Sequence, residues 1–134
     1  MNEIVLGTGL DMVECERIRH SIEKFGDRFL QRIFLPGELA YANSHKYPHR
    51  HLAARFAAKE AASKAFGTGI AGPLGWKDME VARKESGEPY LLLHNSGLEL
   101  LKSRGASRVL ISLTHTEHYA AASAILVGLA GNSS

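Results

Sequence analysis

The sequence has little of several features that would define a class of protein at once. It contains a single cysteine, Cys15, which excludes a disulfide framework within one chain. Its apolar runs are too short to span a bilayer as a helix. The first residues do not show a basic segment followed by an apolar stretch, so we expect no secretory signal. A net charge of +2 is small for a nucleic-acid-binding protein. Together these absences favour a cytoplasmic protein.

Patterns that define common enzyme classes are also missing. The sequence has no G-x-x-x-x-G-K-[ST] phosphate-binding loop and no H-E-x-x-H or C-x-x-C zinc spacing. It has no G-x-S-x-G segment, which argues against a serine hydrolase. We interpret Cys15 as structural, because no neighbouring residue in the sequence would activate its thiol.

The composition predicts one globular domain over residues 1–134, with a frayed tail at 129–134. Of the 134 residues 45% are apolar and 22% are charged, which is ordinary for a globular chain. No repeat or low-complexity linker divides the sequence. A chain of this length can bury roughly two-thirds of its unfolded surface, so a substantial core is expected.

Local patterns predict a strand, four helices, a hairpin, a fifth helix and a second hairpin. The strand covers 3–13, with apolar residues on one face and Gly7, Gly9 and Asp11 on the other. We expect Asn95 or Ser96 to cap the fifth helix. Hairpins imply antiparallel pairing, so the fold class is α+β, with a small antiparallel sheet packed on a long central helix. The predicted helices cover 14–26, 27–34, 36–43, 48–66 and 95–105, and the hairpins 78–94 and 108–127.

The long helix ends in the segment RFAAKEAASKAFGTG, residues 55–69, which has two interpretations. Glu60 and Lys64 share a helix face and could form a surface ion pair worth a few tenths of a kcal/mol. Alternatively, Glu60 could hold Mg²⁺ with a carboxylate from elsewhere, such as Asp11, while Lys64 reaches phosphate oxygens. The dipole at this helix end is negative, so cationic side chains would have to bind the phosphate. Spacing alone leaves both interpretations open.

Basic residues cluster in the first half of the chain, which suggests an anionic partner or ligand. Arg17, Arg28 and Arg32 belong to the early helices, and Arg55, Lys59 and Lys64 to the long one. A solvated charged face would explain the same pattern. His115, at the end of a predicted strand, is by itself more typical of a structural or solvated residue than of a ligand-binding one.

Three segments, taken in order, resemble one family. GTGLDMVECERI, RFAAKEAASKAFGTGI and ISLTHTEHYAAA are similar to the conserved segments of holo-acyl-carrier-protein synthases, the short single-domain 4′-phosphopantetheinyl transferases. The similarity extends from Ile4 to about Val127. Each segment alone is weak, but their combination is specific.

The resemblance implies a reaction and a metal site. Family members transfer 4′-phosphopantetheine from coenzyme A to a serine of an apo acyl carrier protein and release adenosine 3′,5′-bisphosphate. By resemblance, Asp11 and Glu60 would hold Mg²⁺, or Mn²⁺, and Asp11, Glu60 and Lys64 would be the catalytic residues. The proton of the serine would pass to Glu60 or to a metal-bound water, and the sequence does not choose between them.

The resemblance also implies a substrate site and partners. His115, Gly87 and Pro89 would reach coenzyme A from a neighbouring protomer of a homotrimer. Arg17, Arg28 and Arg32 would dock the acidic carrier protein. No nucleic acid or membrane partner is implied. The residues expected to contact coenzyme A are Arg55, Lys64, Gly67, Thr68, Gly69, Ile70, Gly87, Pro89 and His115.

Two alternatives belong to other functional classes. A non-catalytic module binding acidic proteins or nucleic acid would explain the arginines but would leave Asp11 and Glu60 without a role. A coenzyme A-dependent acyltransferase would release free coenzyme A and would need no divalent metal. The products of the reaction distinguish these alternatives from the transferase.

Overall fold

The computed structural model describes residues 2–130, and its elements follow the predicted order. The ends of the helices and strands differ from the predicted ends by one or a few residues. No helix in the described range is long and apolar enough to cross a membrane. The elements are β1 Glu3–Glu14, α1 Cys15–Phe25, α2 Asp27–Ile33, α3 Pro36–Asn43, α4 Pro48–Phe66, a 3-10 turn at Trp76–Asp78, β2 Met79–Arg83, β3 Pro89–Leu93, α5 Asn95–Ser103, β4 Ala106–His115 and β5 Tyr119–Leu129.

Glycines end the helices at the predicted places, but the predicted cap of α5 is wrong. Gly26 ends α1 with φ of 56° and Gly67 ends α4 with φ of 81°, a region that glycine enters without a Cβ penalty. The residue before α5 is His94, and no side chain caps this helix. The Ser96 hydroxyl instead donates to Asp78 Oδ2 at 3.1 Å, so it is not free to cap its own helix.

The strands form two antiparallel sheets rather than one. The larger sheet has the order β1-β5-β4, and the hairpin of β2 and β3 forms a separate two-stranded sheet. The predicted α+β class, with hairpins and a long helix, is confirmed. Leu129 belongs to β5 and not to the frayed tail that we predicted. Residues 131–134 of that predicted tail lie outside the described residues.

Helix α4 packs against β1 at backbone distance. A Cβ added at Gly7 would lie 2.0 Å from the Ala65 carbonyl oxygen, and one at Gly9 would lie 1.8 Å from that of Ala61. Only glycine allows a helix to come so near a strand. The buried alanines of α4 complete this tight contact. The glycines of β1 therefore allow the backbone of α4 to approach the strand.

The apolar face of β1 points away from α4. Leu10 and Met12 are 69% and 68% exposed, and Leu6 and Leu110 are also exposed. The alternation of β1 was predicted, but the more apolar side is the outer one because the glycine side is occupied by the helix. A contiguous exposed apolar sheet face of this kind is typical of an interaction surface.

A buried ion pair fixes α3 and β2 to α4. Lys59 Nζ donates to Glu38 Oε1 at 2.8 Å and to the Ile33 carbonyl at 2.6 Å, and both charged side chains are fully buried. The other carboxylate oxygen of Glu38 accepts the Val81 amide at 2.9 Å. Burial lowers the pKa of Lys59, and the charge of Glu38 opposes that shift. Loss of one partner from such a pair costs about 3–5 kcal/mol, because the other charge remains buried.

Candidate functional site

Asp11 and Glu60 line one cavity, although they are 49 residues apart in the sequence. Asp11 belongs to β1 and Glu60 to α4. The cavity has a volume of about 240 Å³, and Arg17 and Phe56 also line it. The contact between Gly9 and Ala61 brings β1 and α4 together. Asp11 is two residues after Gly9, and Glu60 immediately precedes Ala61, so both carboxylates lie near this contact. The structure thus unites the pair of acidic residues that sequence spacing could not join.

Lys64 contacts Asp11, one of the residues that line this cavity. Its Nζ lies 3.1 Å from Asp11 Oδ1 and 3.0 Å from the Leu10 carbonyl oxygen. In the part of the chain that the structure describes, this contact replaces the surface ion pair with Glu60 that one interpretation of the sequence proposed. The side chain is 50% exposed, so the ammonium group can move toward a ligand without unpacking the core.

The electrostatics of the cavity favour a protonatable Glu60. Burial raises the pKa of Glu60 above its usual range, and the nearby charge of Asp11 raises it further. Lys64 and Arg17 oppose this shift. A carboxylate with a raised pKa is a better proton acceptor near neutral pH than an ordinary one.

The donor set of the cavity fits a hard divalent cation. Asp11 and Glu60 offer carboxylate oxygens, and no group of three or more candidate protein ligands occurs between residues 2 and 130. Mg²⁺ is commonly held by one or two carboxylates, with water and substrate phosphate oxygens completing its octahedron. The pair therefore suits a metal that is shared with a phosphorylated substrate rather than enclosed by the protein.

The glycine-containing loop after α4 is ordered by its own backbone. The amides of Thr68 and Gly69 both donate to the Ser63 carbonyl at 3.2 Å. Gly69 has φ of 66°, and Ile70 packs against the core. These hydrogen bonds hold the loop in one position close to Lys64. The loop would therefore present a fixed surface to a ligand.

Arg55 belongs to a second cluster, distinct from the acidic cavity. Its side chain is 1% exposed, and its guanidinium lies 4.1 Å from the ring centroid of Tyr41. Arg83 approaches the same ring at 4.7 Å. The two arginines line a cavity of about 260 Å³. Arg55 Nε is buried without a hydrogen-bond partner among the described residues, so this cavity has unused capacity for an anion.

His115 joins this second cluster through His51, whose ring centroid lies 4.8 Å away. Gly87 also lies on this side, since its carbonyl accepts a hydrogen bond from Arg83, and Pro89 begins β3. The structure thus divides the predicted site residues into two groups within one chain. Asp11 and Glu60 line the acidic cavity, and Lys64 contacts Asp11. Arg55 lines the second cavity, while Gly87 and His115 are connected to it through Arg83 and His51.

Two members of the second cluster, Tyr41 and Arg83, were missed from the sequence. They were not assigned a role, because they belong to elements separated from α4 by loops. His51 follows His45 in the histidine-rich run HKYPHRH, and this run was the only available signal.

Two of the three predicted docking arginines line an apolar groove. Arg28 and Arg32 lie with Phe25, Phe29 and Trp76 around a cavity of about 400 Å³. Trp76 stacks on Phe56 at a centroid distance of 4.9 Å, and Phe56 lines the acidic cavity. This stack connects the groove to the acidic cavity. Arg17, the third predicted docking residue, lines the acidic cavity itself.

An α+β fold with paired carboxylates in one cavity and two arginines beside another suits a protein that binds a phosphorylated ligand together with a divalent cation. The match to a family model is more specific, since residues 7–124 match the 4′-phosphopantetheinyl transferase superfamily. The chain belongs to this superfamily, and the enzyme class predicted from the sequence is confirmed.

Known relatives agree with this assignment. A holo-[acyl-carrier-protein] synthase of Koribacter versatilis is 48% identical over 123 residues, covering 92% of this chain and 98% of the relative. The crystal structure of the Neisseria meningitidis synthase has a TM-score of 0.86 at 34% identity, covering 92% and 98% of the two chains. A Bacillus anthracis synthase solved in complex with CoA (3′,5′-ADP) has a TM-score of 0.75 at 33% identity and covers 93% and 98%.

We predict that Asp11 and Glu60 bind Mn²⁺ in a pH-dependent manner. The metal must displace any proton on Glu60, whose pKa is raised, so affinity should fall as the pH falls through that raised pKa. Electron paramagnetic resonance of free Mn²⁺ measures the binding directly, without turnover. Glu60→Gln and Asp11→Asn should each weaken binding by at least about tenfold.

The matched control is Glu99→Gln, which removes an exposed carboxylate from α5. Equal Mn²⁺ affinity in Glu60→Gln and Glu99→Gln would show that the cavity is not the metal site. Affinity that does not change with pH would contradict the role of the raised pKa.

Proposed function

We propose that this chain acts as a holo-acyl-carrier-protein synthase, transferring 4′-phosphopantetheine from coenzyme A to a serine of an apo acyl carrier protein. The supporting observation is the cavity that Asp11 and Glu60 line together, with Lys64 bound to Asp11 and the Phe56–Trp76 stack linking the cavity to the groove of Arg28 and Arg32. A binding module would need the groove but would gain nothing from two carboxylates in a half-buried cavity. The family and its curated relatives support the same reaction.

Coenzyme A would use both clusters. Lys64 and the backbone of the loop 67–70 would contact its pyrophosphate, and the second cavity, with Arg55, His115, Gly87 and Pro89, would receive its adenosine phosphate end. Mg²⁺, or Mn²⁺, at Asp11 and Glu60 would withdraw charge from the pyrophosphate oxygens when bound. The negative end of the α4 dipole gives no help to phosphate here, which leaves the recognition to cationic side chains.

The transfer exchanges the phosphoanhydride bond of coenzyme A for a phosphodiester bond to the carrier serine. The serine oxygen of the carrier attacks the β-phosphorus of coenzyme A, and the bond from that phosphorus to the bridging oxygen breaks. Adenosine 3′,5′-bisphosphate leaves with the electron pair of the broken bond. Glu60 would accept the serine proton, and the Lys64 ammonium would stabilise the charge that develops on the leaving phosphate.

Mass spectrometry of an apo acyl carrier protein tests the reaction. After incubation with coenzyme A, Mg²⁺ and this protein, the carrier should gain one phosphopantetheinyl group, with release of adenosine 3′,5′-bisphosphate. EDTA should prevent the gain. Glu60→Gln should lower the rate by about 10²–10⁴-fold because it removes the proton acceptor and a metal ligand, while Glu99→Gln should not.

Other outcomes have distinct meanings. A carrier that gains an acyl group from acyl-CoA, with free coenzyme A as product and no need for metal, would establish an acyltransferase. Binding of the carrier without any covalent change, in wild type and Glu60→Gln alike, would favour the non-catalytic basic module.

We further propose that the active sites lie between protomers of a homotrimer. The acidic cavity and the second cavity are lined by different residues of the chain, and in this arrangement a single coenzyme A molecule would use the acidic cavity of one protomer and the second cavity of its neighbour. The exposed outer face of β1, with Leu10 and Met12, provides an apolar surface for subunit contact. A head-to-tail interface that closes into a ring would pair each acidic cavity with the second cavity of a neighbour.

Mixing two inactive variants tests this arrangement. Glu60→Gln disables the acidic cavity and His115→Ala disables the second cavity. If random assembly gives mixed trimers, about a quarter of the sites would combine two intact halves, and activity should return to that extent. Each variant alone should remain inactive.

Activity of the mixture that stays at the level of the separate variants, in trimers shown to be mixed by native mass spectrometry, would place both halves of a site in one chain. A monomer in light scattering at assay concentration would reject the trimer.

Carrier docking is assigned to the groove of Arg28 and Arg32. Its apolar floor, with Phe25 and Phe29, suits an apolar helix face, and the arginines suit acidic residues around it. The Phe56–Trp76 stack connects this groove with the acidic cavity, so a docked carrier would present its serine near the metal site.

We predict that Arg28→Ala and Arg32→Ala each raise the KM for the carrier by about two- to fivefold at low salt. The KM for coenzyme A should not change, because neither residue lines the other two cavities. The effect should shrink as salt increases, since screening already weakens the attraction. Arg104→Ala, at an exposed arginine after α5, is the control, and an equal effect there would refute specific docking.

A further inference from the structure

Three histidine rings contact one another in series beside the second cavity, the first pair tilted and the second pair edge to face. The ring centroids of His45 and His51 are 4.0 Å apart, and those of His51 and His115 are 4.8 Å apart. We call this group the histidine stack. It brings together the connection before α4, the first turn of α4 and the end of β4. His45 Nδ1 is 2.8 Å from the Tyr41 carbonyl oxygen, which fixes the first ring.

The surroundings of the histidine stack are strongly cationic. Arg55 and Arg83 share the ring of Tyr41, and Arg50 lies over the ring of Tyr47 at 3.9 Å. Both nearby carboxylates are already engaged. Glu80 lies 2.8 Å from His94 Nε2, and Glu38 is bound to Lys59. The groups that face the histidine stack are thus Tyr41, Arg50, Arg55 and Arg83, with Glu38 and Glu80 as the acidic residues next to the arginines.

We propose that the histidine stack takes up a proton when a phosphomonoester dianion binds beside Arg55, Arg83 and His115, and that His51 is the residue that couples this binding to pH. The inference rests on the proposed function, under which the dianion is the 3′-phosphate of coenzyme A. His51 then acts as a specificity-determining residue, since it strengthens binding only of a ligand that has the 3′-phosphate.

The surroundings of His51 and His115 favour the neutral form of both side chains in the free protein. Burial, the two stacked histidines and the arginines together lower the pKa of His51 to about 4. Burial and the arginines also lower the pKa of His115. Additional positive charge is therefore unfavourable at neutral pH until an anion is present.

A bound dianion reverses the balance. Its two negative charges favour the protonated rings, so the pKa values of the histidine stack rise in the complex. Between the pKa of the free protein and that of the complex, each proton taken up increases affinity by about tenfold per unit of pH decrease. Discrimination against dephospho-coenzyme A should increase in the same direction.

Calorimetry with adenosine 3′,5′-bisphosphate tests the proposal without turnover. Titrations at pH 7.5 in buffers of different ionisation enthalpy give the number of protons taken up. A phosphomonoester has its own second pKa near about 6 and can only release protons on binding as a dianion, so net uptake must come from the protein. Adenosine 5′-monophosphate, which lacks the 3′-phosphate, should give no uptake.

The key variant is His51→Phe, which keeps a stacked aromatic ring but cannot titrate. It should lose most of the proton uptake and flatten the dependence of affinity on pH. His51→Gln provides a second non-titrating variant should the first fold poorly. The matched control is His49→Phe, because His49 meets Tyr47 edge-on at 6.5 Å and lies outside the histidine stack.

The outcomes separate this inference from the proposed function. Binding of adenosine 3′,5′-bisphosphate without proton uptake, or with uptake that is unchanged in both His51 variants, would overturn the inference and leave the transferase intact. A protein that binds neither coenzyme A nor the bisphosphate would refute the proposed function itself.

Discussion

The backbone contact between β1 and α4 is the constraint on which the rest of the site depends. With no side chain at Gly7 or Gly9, the strand lies against the carbonyl oxygens of Ala61 and Ala65. Asp11 is two residues beyond Gly9, and Glu60 immediately precedes Ala61, so the contact that closes the core also places two carboxylates in one cavity. Their proximity and partial burial are unfavourable for stability. The same features raise the pKa of Glu60 and create a place for a cation.

The order of elements was predictable because its signals are local. Gly26, Pro36 and Gly67 end or begin helices by their own backbone preferences. The faces of β1 were predictable only in part. Alternation separated an apolar side from a glycine side, but hydropathy alone would bury the apolar side. The glycine side of β1 faces the core instead, because the alanine-rich helix α4 packs directly against the strand backbone. The apolar side is left exposed, where another surface could cover it.

The sequence indicated which residues could form the site, but it did not indicate which of them contact one another. The spacing of Glu60 and Lys64 suggested an ion pair within the helix, yet Lys64 contacts Asp11, 53 residues away in sequence. No feature of the sequence showed that Lys59 is buried. In the structure its ammonium group pairs with the buried carboxylate of Glu38, which lies 21 residues earlier. Similarly, nothing in the run around His51 indicated that its ring would meet His115. Such pairings depend on the tertiary packing, which the local sequence does not encode.

Helix α4 meets different surroundings on each side, and this limits how the chain can vary in length. It presents alanines to β1, Glu60 and Lys64 to the acidic cavity, and Lys59 to Glu38, all within two turns. Each residue of an α-helix advances by about 100° and 1.5 Å, so one inserted residue would rotate every later side chain away from its partner. The neighbours of α4 therefore fix its length, and an inserted or deleted residue within the helix would disrupt the core and the acidic cavity together.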